Sequence, residues 1–350
     1  MVEPGCRRGR VVALLANFCW VQLDRPGPEA QQRLLCTRRT RLGKSGQIIC
    51  VGDWVLVDGI DWPSRRAAVA AVEPRQLLLE RPPVANITRV AVVIALAEPA
   101  LDPLQLTRFL ITAEASGAAV ELVFSKADLL PHDQVMHWLQ RASVWGYAAL
   151  AVSPRVPGSL DPLRQRLGQP GLSVLCGPSG VGKSSLINAL LPDLELRVAA
   201  VSGRLQRGRH TTRHVELFAL DEGSLLADTP GFNRPQLPPD PAALAACFPE
   251  LRPPRLSQVC QFSDCLHQGE PGCAIATGWD RQELYSQCLQ ELQGAAQRSA
   301  TATVRPATGG SLRQRGDRIE PRLDGQYRRQ SRRRQRQDIE AELSPPDPEG

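Results

Sequence analysis

Lysine is almost missing from this chain. Of its 42 basic residues only Lys44, Lys126 and Lys183 are lysine, and the others are arginine. An ammonium on a flexible stem is a compact point charge that a planar guanidinium does not replace. Where such a chain keeps a lysine, the position is worth inspecting. No run of 18 apolar residues occurs either, which excludes an ordinary transmembrane helix. The apolar stretch from Val11 to Leu23 is broken by Asn17 and Gln22. It reads as a strand pair or one long strand, not as the core of a signal peptide. The ten cysteines are scattered, and four potential metal ligands lie close together. That argues for a reducing cytosol over a disulfide framework, and a cytoplasmic monomer is expected. The net charge of +6 leans towards an acidic partner such as RNA.

Two of the three lysines fall in nucleotide motifs. Gly177-Pro-Ser-Gly-Val-Gly-Lys183-Ser184 follows the G-x4-G-K-[ST] pattern. A short apolar strand, Ser173–Cys176, precedes it, and a helical run from Ser184 to Leu191 follows. Backbone N–H groups of such a turn face phosphates. Lys183 is then placed to reach the β- and γ-phosphates, and Ser184 to bind Mg²⁺. The threonines Thr211 and Thr212 come next, then Asp228-Thr-Pro-Gly231. The base-reading element Lys126-Ala-Asp128 should follow all of these, and it precedes them. The order is that of a circularly permuted GTPase. Permutation leaves loops at one sheet edge in place when the cut falls in an exposed connection.

The chain divides into four parts. Residues 1–81 carry five short strand candidates, at Val11–Leu15, Arg33–Cys36, Ile48–Val51, Asp53–Asp58 and Ala67–Val72, separated by turn signals. Their number suits an OB-fold barrel. Arg33, Arg38, Arg39, Arg41 and Lys44 concentrate charge in one region of it. They form either an RNA-facing loop or a solvated one. Residues 82–238 alternate strand and helix, as an α/β GTPase domain should. Arg89–Leu96 reads as a buried parallel strand. Leu104–Ser116 reads as a helix with Leu106, Phe109, Leu110 and Ala113 on one face. Ala119–Phe124 reads as a strand delivering Ser125-Lys-Ala-Asp128 at its C-terminal end.

Residues 239–298 contain Cys260-x4-Cys265-x-His267-x5-Cys273. Three thiolates and one imidazole make a closed structural zinc set. The alternative is a group of free buried cysteines. Cys247 and Cys288 lie outside the group and are assigned to packing. Residues 299–350 are expected to be a disordered Arg-rich tail. From Arg313 to Arg336 ten arginines face only Asp317, Glu320 and Asp324. Such a segment reads as a nucleic-acid arm or a solubilising tail.

Taken together, residues 7 to 295 resemble the RsgA family of circularly permuted GTPases. The resemblance rests on the barrel, the Lys126–Asp128 element ahead of the Gly177–Ser184 loop, Gly208-Arg-His-Thr-Thr212, Asp228–Gly231, Phe248-Pro-Glu250 and the Cys/His group. It implies GTP hydrolysis stimulated by the 30S ribosomal subunit, a role in late assembly of that subunit, and contact with 16S rRNA. The nucleotide set is then Ser125, Lys126, Ala127, Asp128, Ser153, Gly177, Pro178, Ser179, Gly180, Val181, Gly182, Lys183, Ser184, Ser185, Thr212 and Asp228. Ser184 and Thr212 would hold Mg²⁺, with Asp228 acting through water. Gly231 would donate its amide to the γ-phosphate.

Two positions depart from pattern. Ser125 stands where the family usually has asparagine, so guanine preference should survive through Asp128 with weaker affinity. Phe232 stands where many GTPases have a water-orienting glutamine. A phenyl ring cannot orient water, and the resemblance points to His210 instead; the other reading of His210 is packing in the switch. Two competing functions remain, a P-loop ATPase and an RNA-binding switch with negligible hydrolysis.

Overall fold

The computed structural model describes residues 6–38, 48–80, 83–192, 215–228, 235–252, 260–275, 277–303, 312–315 and 318–321. Two compact units result, Met1–Leu292 and Gln293–Gly350.

The first unit opens with β1 (Arg7–Leu14), β2 (Phe18–Leu23), β3 (Arg33–Arg38), β4 (Trp54–Asp61) and β5 (Arg66–Val72). They pair in the order β1-β2-β3-β5-β4, and β4 returns to β1 to close a barrel. Only β3 and β5 run parallel within it. Alternation builds the interior: Val11, Cys19, Val21, Leu34, Cys36, Val55, Val57 and Val69 face inward. Five strands were expected, and their membership differs in one respect. Ile48–Val51 is not a named strand; Val51 makes an isolated bridge to Val84. The fifth strand is β2, the second half of the Val11–Leu23 run. The polar Asn17 that interrupts that run lies in its turn, where a backbone reversal tolerates it.

After the hairpin β6 (Leu78–Glu80) and β7 (Pro83–Ala85), the chain alternates. The order is β8 (Arg89–Ala95), α1 (Pro103–Ala115), β9 (Ala119–Ser125), α2 (His132–Trp145), β10 (Leu150–Ala151), α3 (Asp161–Leu167), β11 (Gly171–Cys176) and α4 (Lys183–Leu190). Then come β12 (Glu216–Asp221) and β13 (Ser224–Asp228). The sheet order is β10-β9-β8-β11-β13-β12, parallel except for the β12/β13 hairpin. β8 is buried on both faces, which explains its unbroken apolar run. Val90, Val92 and Ile94 meet Leu106, Phe109 and Leu110 of α1 and Val135 of α2 in one core. Ala91, Val93 and Ala95 meet Leu163 of α3 and Leu186 and Leu190 of α4 in the other. Asp102 caps α1 by accepting from Leu104 N–H at 2.9 Å.

The unit ends with α5 (Pro241–Ala246) and the start of α6 (Gln282–Thr303). Leu244, Cys247, Phe248, Tyr285, Cys288 and Leu289 form a separate core that takes in Ile111 of α1. Cys247 and Cys288 are packing residues there, as expected. The second unit holds the end of α6 and the hairpin β14 (Leu312–Arg315) and β15 (Arg318–Pro321). Those eight positions lie within the part read from the sequence as an Arg-rich tail. Their backbone register sets Arg313 opposite Glu320.

Candidate active site

The parallel strands deliver their loops to one edge. β8 and β9 run outward from the centre in one direction and β11 and β13 in the other, so the strand order reverses between β8 and β11. Ligands of open α/β sheets bind at the C-terminal ends beside such a reversal. The phosphate-type loop leaves β11 there, the base-type loop leaves β9, and β13 ends on Asp228.

Glycine is required at the loop's entry. Gly177 has φ of 140°, and a Cβ on it would sit 2.0 Å from Val93 O. Only a residue without a side chain lets the loop cross β8 this closely. Gly182, at φ of 94°, caps α4 from the left-handed region and offers no side-chain acceptor. The helix N-terminus therefore keeps its amides for another acceptor, the arrangement that suits a phosphate. Lys183 Nζ donates to Gly177 O at 2.8 Å and to Pro178 O at 2.6 Å, so the ammonium lies folded over the loop. Pro178 and Val181 are buried, and Ser179, Gly180, Ser184 and Ser185 are exposed. Beneath the loop, burial pushes the Cys176 thiol far above its ordinary range, which keeps it neutral and inert.

Ser125 ties the two loops together. Its side chain is buried, and its hydroxyl donates to Val181 O at 2.6 Å; Ile94 O lies 3.3 Å away. A serine thus links the base loop to the phosphate loop where asparagine was expected to help. Lys126 takes φ of 56° and donates through Nζ to Glu98 O. Ala127 N–H donates to Val152 O at 3.3 Å. Ser153 is buried; its N–H donates to Ser159 Oγ at 2.8 Å, and its hydroxyl accepts from Arg155 N–H at 3.2 Å. The Asp128 carboxylate is held beside these turns with Arg155 Nη1 at 3.8 Å from Oδ2. Arg155 was not anticipated, because no motif spacing marks it. Among the site expectations, His210, Thr212 and Gly231 lie outside the described residues, and Asp228 is placed by its backbone alone.

The Cys/His group is assembled. The ligand atoms of Cys260, Cys265, His267 and Cys273 all lie within 4.8 Å of one another. His267 Nδ1 is 3.6, 3.8 and 3.6 Å from the sulfurs of Cys260, Cys265 and Cys273. Zinc–sulfur and zinc–nitrogen bonds of about 2.3 and 2.0 Å at a tetrahedral angle put sulfur and nitrogen about 3.5 Å apart. The donor set therefore fits that ion, with Nδ1 as the ligating nitrogen. Its surroundings are built for it. Ala274 N–H donates to Cys260 Sγ at 3.3 Å, and the Glu270 carboxylate accepts from Leu266 and Gln268 N–H. Tyr285 Oη donates to Leu266 O at 2.9 Å, fastening the loop to α6.

Within this C-terminal part, Arg281 is fully buried and bonds the Glu250 carboxylate, its Nε at 2.7 Å. Ion pairs then join the part to the nucleotide part. Arg141 of α2 pairs with Asp280, and its hydrogen bond holds that carboxyl below the usual range against the opposing effect of burial. Arg252 reaches Glu114 of α1 at 2.6 Å.

A family profile described as RsgA GTPase matches residues 72–238. A small ribosomal subunit biogenesis GTPase RsgA of Synechococcus sp. (strain CC9605) is 54% identical over 302 residues, covering 86% of this chain and 97% of that protein. This chain belongs to the RsgA family. Another relative of the same description, from Thermosynechococcus vestitus, is 47% identical and covers 95% of both chains. The family fold extends to solved structures. YjeQ from Thermotoga maritima aligns with a TM-score of 0.67 at 28% identity, over 83% of this chain and 99% of its own. YloQ, described as a circularly permuted GTPase, aligns at 0.68 and 25% identity, over 84% and 97%. Family and architecture thus agree on the permuted order read from the motifs. Among the described residues no helix is long and apolar enough to cross a membrane.

Proposed function

We propose that this chain hydrolyses GTP to GDP and phosphate and acts in maturation of the small ribosomal subunit, stimulated by the 30S particle. The observation that carries the reading is the Ser125–Val181 hydrogen bond, which fastens a guanine-type loop onto a phosphate-binding loop. Asp128 reads the guanine edge by accepting from its N1 and N2 groups; an adenine ring presents no such donor pair at that edge. Phosphoryl transfer to water needs positioning and charge neutralisation more than covalent chemistry. Lys183 leaves the carbonyls of Gly177 and Pro178 for the β- and γ-phosphates, and the α4 amides complete the cradle. Mg²⁺ bound with GTP supplies neutralisation of the phosphate charge. Ser184 and Thr212 would hold it, with Asp228 through water. Gly231 donates to the γ-phosphate, and His210 orients the attacking water in place of the usual glutamine. Cys260, Cys265, His267 and Cys273 hold one structural zinc.

The closed barrel serves as an OB-type RNA platform, and the zinc part grips 16S rRNA at a second place. Multiple-turnover phosphate release, with and without 30S subunits, tests the reading. A several-fold or larger rise with 30S supports it. Turnover that stays negligible with saturating 30S favours a non-catalytic RNA switch, a reading that Phe232 sustains. Equal competition of GTP binding by ATP would instead return the chain to the ATPases.

A further inference from the structure

The barrel and the nucleotide sheet are one continuous set of strands, joined among the described residues by the pairing of Ala13 with Glu216. Glu216 opens β12, four positions after Thr212. On one side it pairs with Ala13 of the barrel strand β1, and on the other with Asp228 at the end of β13. Its carboxylate accepts from Arg33 Nη2 of β3 at 3.3 Å. Arg33 in turn lies over Trp20 of β2, 4.9 Å from the ring centroid.

Apolar packing reinforces the joint. In β1, Val11 belongs to the barrel core, while its neighbour Val12 belongs to the core of the nucleotide domain. Val215 and Leu217, which flank Glu216, are in that same second core, and Leu14 and Trp20 pack against it. A strand has two faces, and β1 gives one to each module. A one-residue slip of its register would exchange them.

We propose that the barrel reports to the nucleotide site through β12, with Arg33 and Glu216 as positioning residues for the stimulation of hydrolysis by 30S. This rests on the GTPase reading above. Any displacement of the barrel by bound RNA pulls on β1, and β1 is hydrogen-bonded to the strand that separates the threonine segment from Asp228. The pairing couples barrel position to the placement of Asp228 without Arg33 or Glu216 touching nucleotide. By linkage, a barrel position that favours one nucleotide state must itself be favoured by that state.

The test uses the full chain with Arg33→Glu, Glu216→Arg and the double exchange. Each single variant should lower turnover at saturating 30S by about two- to fivefold, the scale of a half-exposed ion pair. GTP affinity and turnover without 30S should stay as in the parent. The double exchange should restore stimulation. Single variants that are stimulated normally, that lose intrinsic and stimulated turnover alike, or that are not rescued by the exchange would overturn the proposal. Amide hydrogen exchange gives a readout free of 30S. Protection of Arg7–Leu14 should differ between GDP and a non-hydrolysable GTP analogue, and Glu216→Arg should abolish the difference. If the parent shows no stimulation by 30S, the functional reading fails, while the exchange experiment still decides the coupling. No nucleotide dependence in the parent barrel would refute it.

Discussion

Replacing Ser125 with alanine isolates one bond at the centre of the site. Ser125 is 1% exposed, and its hydroxyl donates to Val181 O at 2.6 Å. Its removal leaves a carbonyl in the interior without that donor, a loss of about 1–3 kcal/mol. Were all of it to appear in nucleotide binding, GTP affinity would fall by about 5- to 150-fold. The bond is present without nucleotide too, so only the part that lets the base loop drift from the phosphate loop reaches the affinity. The lower end, about five- to tenfold, is therefore expected for GTP. ATP should be affected less, because it makes little use of Asp128. Ser125→Cys separates the bond from the space it fills, since a thiol restores most of the volume but donates weakly. It should behave like alanine. Titration with a fluorescent GTP analogue, with ATP and GTP as competitors, reads both variants, and circular dichroism checks the fold. GTP affinity within about twofold of the parent for both would refute the argument that this serine holds the guanine loop in place.

Asp128→Asn should weaken GTP and strengthen xanthosine triphosphate, because the amide presents a donor where guanine needs an acceptor; competition binding with the two nucleotides checks it. Cys265→Ser should lower zinc below one per chain in elemental analysis and expose the loop to protease, since site formation and folding are coupled. Glu250→Ala leaves the fully buried Arg281 without its carboxylate. A loss of about 3–5 kcal/mol is expected, read as a fall in the urea midpoint of the C-terminal part, with GTP affinity little changed. Deleting residues from Arg313 onward should weaken 30S binding and flatten its salt dependence while sparing stimulation of hydrolysis, measured by sedimentation at several salt concentrations.

Much of this protein is legible in the order of its residues. The loop Gly177–Ser184, the Lys126–Asp128 element and the Cys/His group are local: neighbouring residues supply their chemistry, and local spacing decides whether they work. Periodicity likewise marks β8, α1 and β9, since burial on one face or two leaves a pattern in any short window. Other features depend on residues far apart in the chain. Nothing near Ser125 announces that its partner is Val181, and a serine in place of asparagine reads as a loss until the carbonyl it meets is located. Arg155 carries no motif, yet it stands beside Asp128. Arg281 finds Glu250 only because two segments fold over Phe248 and Tyr285. The strand Ile48–Val51 had the right composition, but pairing partners decide a strand, and β2 took that place in the barrel. The joint at Glu216 belongs wholly to tertiary structure. Sequence can show a β-prone segment after Thr212, but only the closed sheet decides that a barrel strand lies along one side of it and Asp228 on the other.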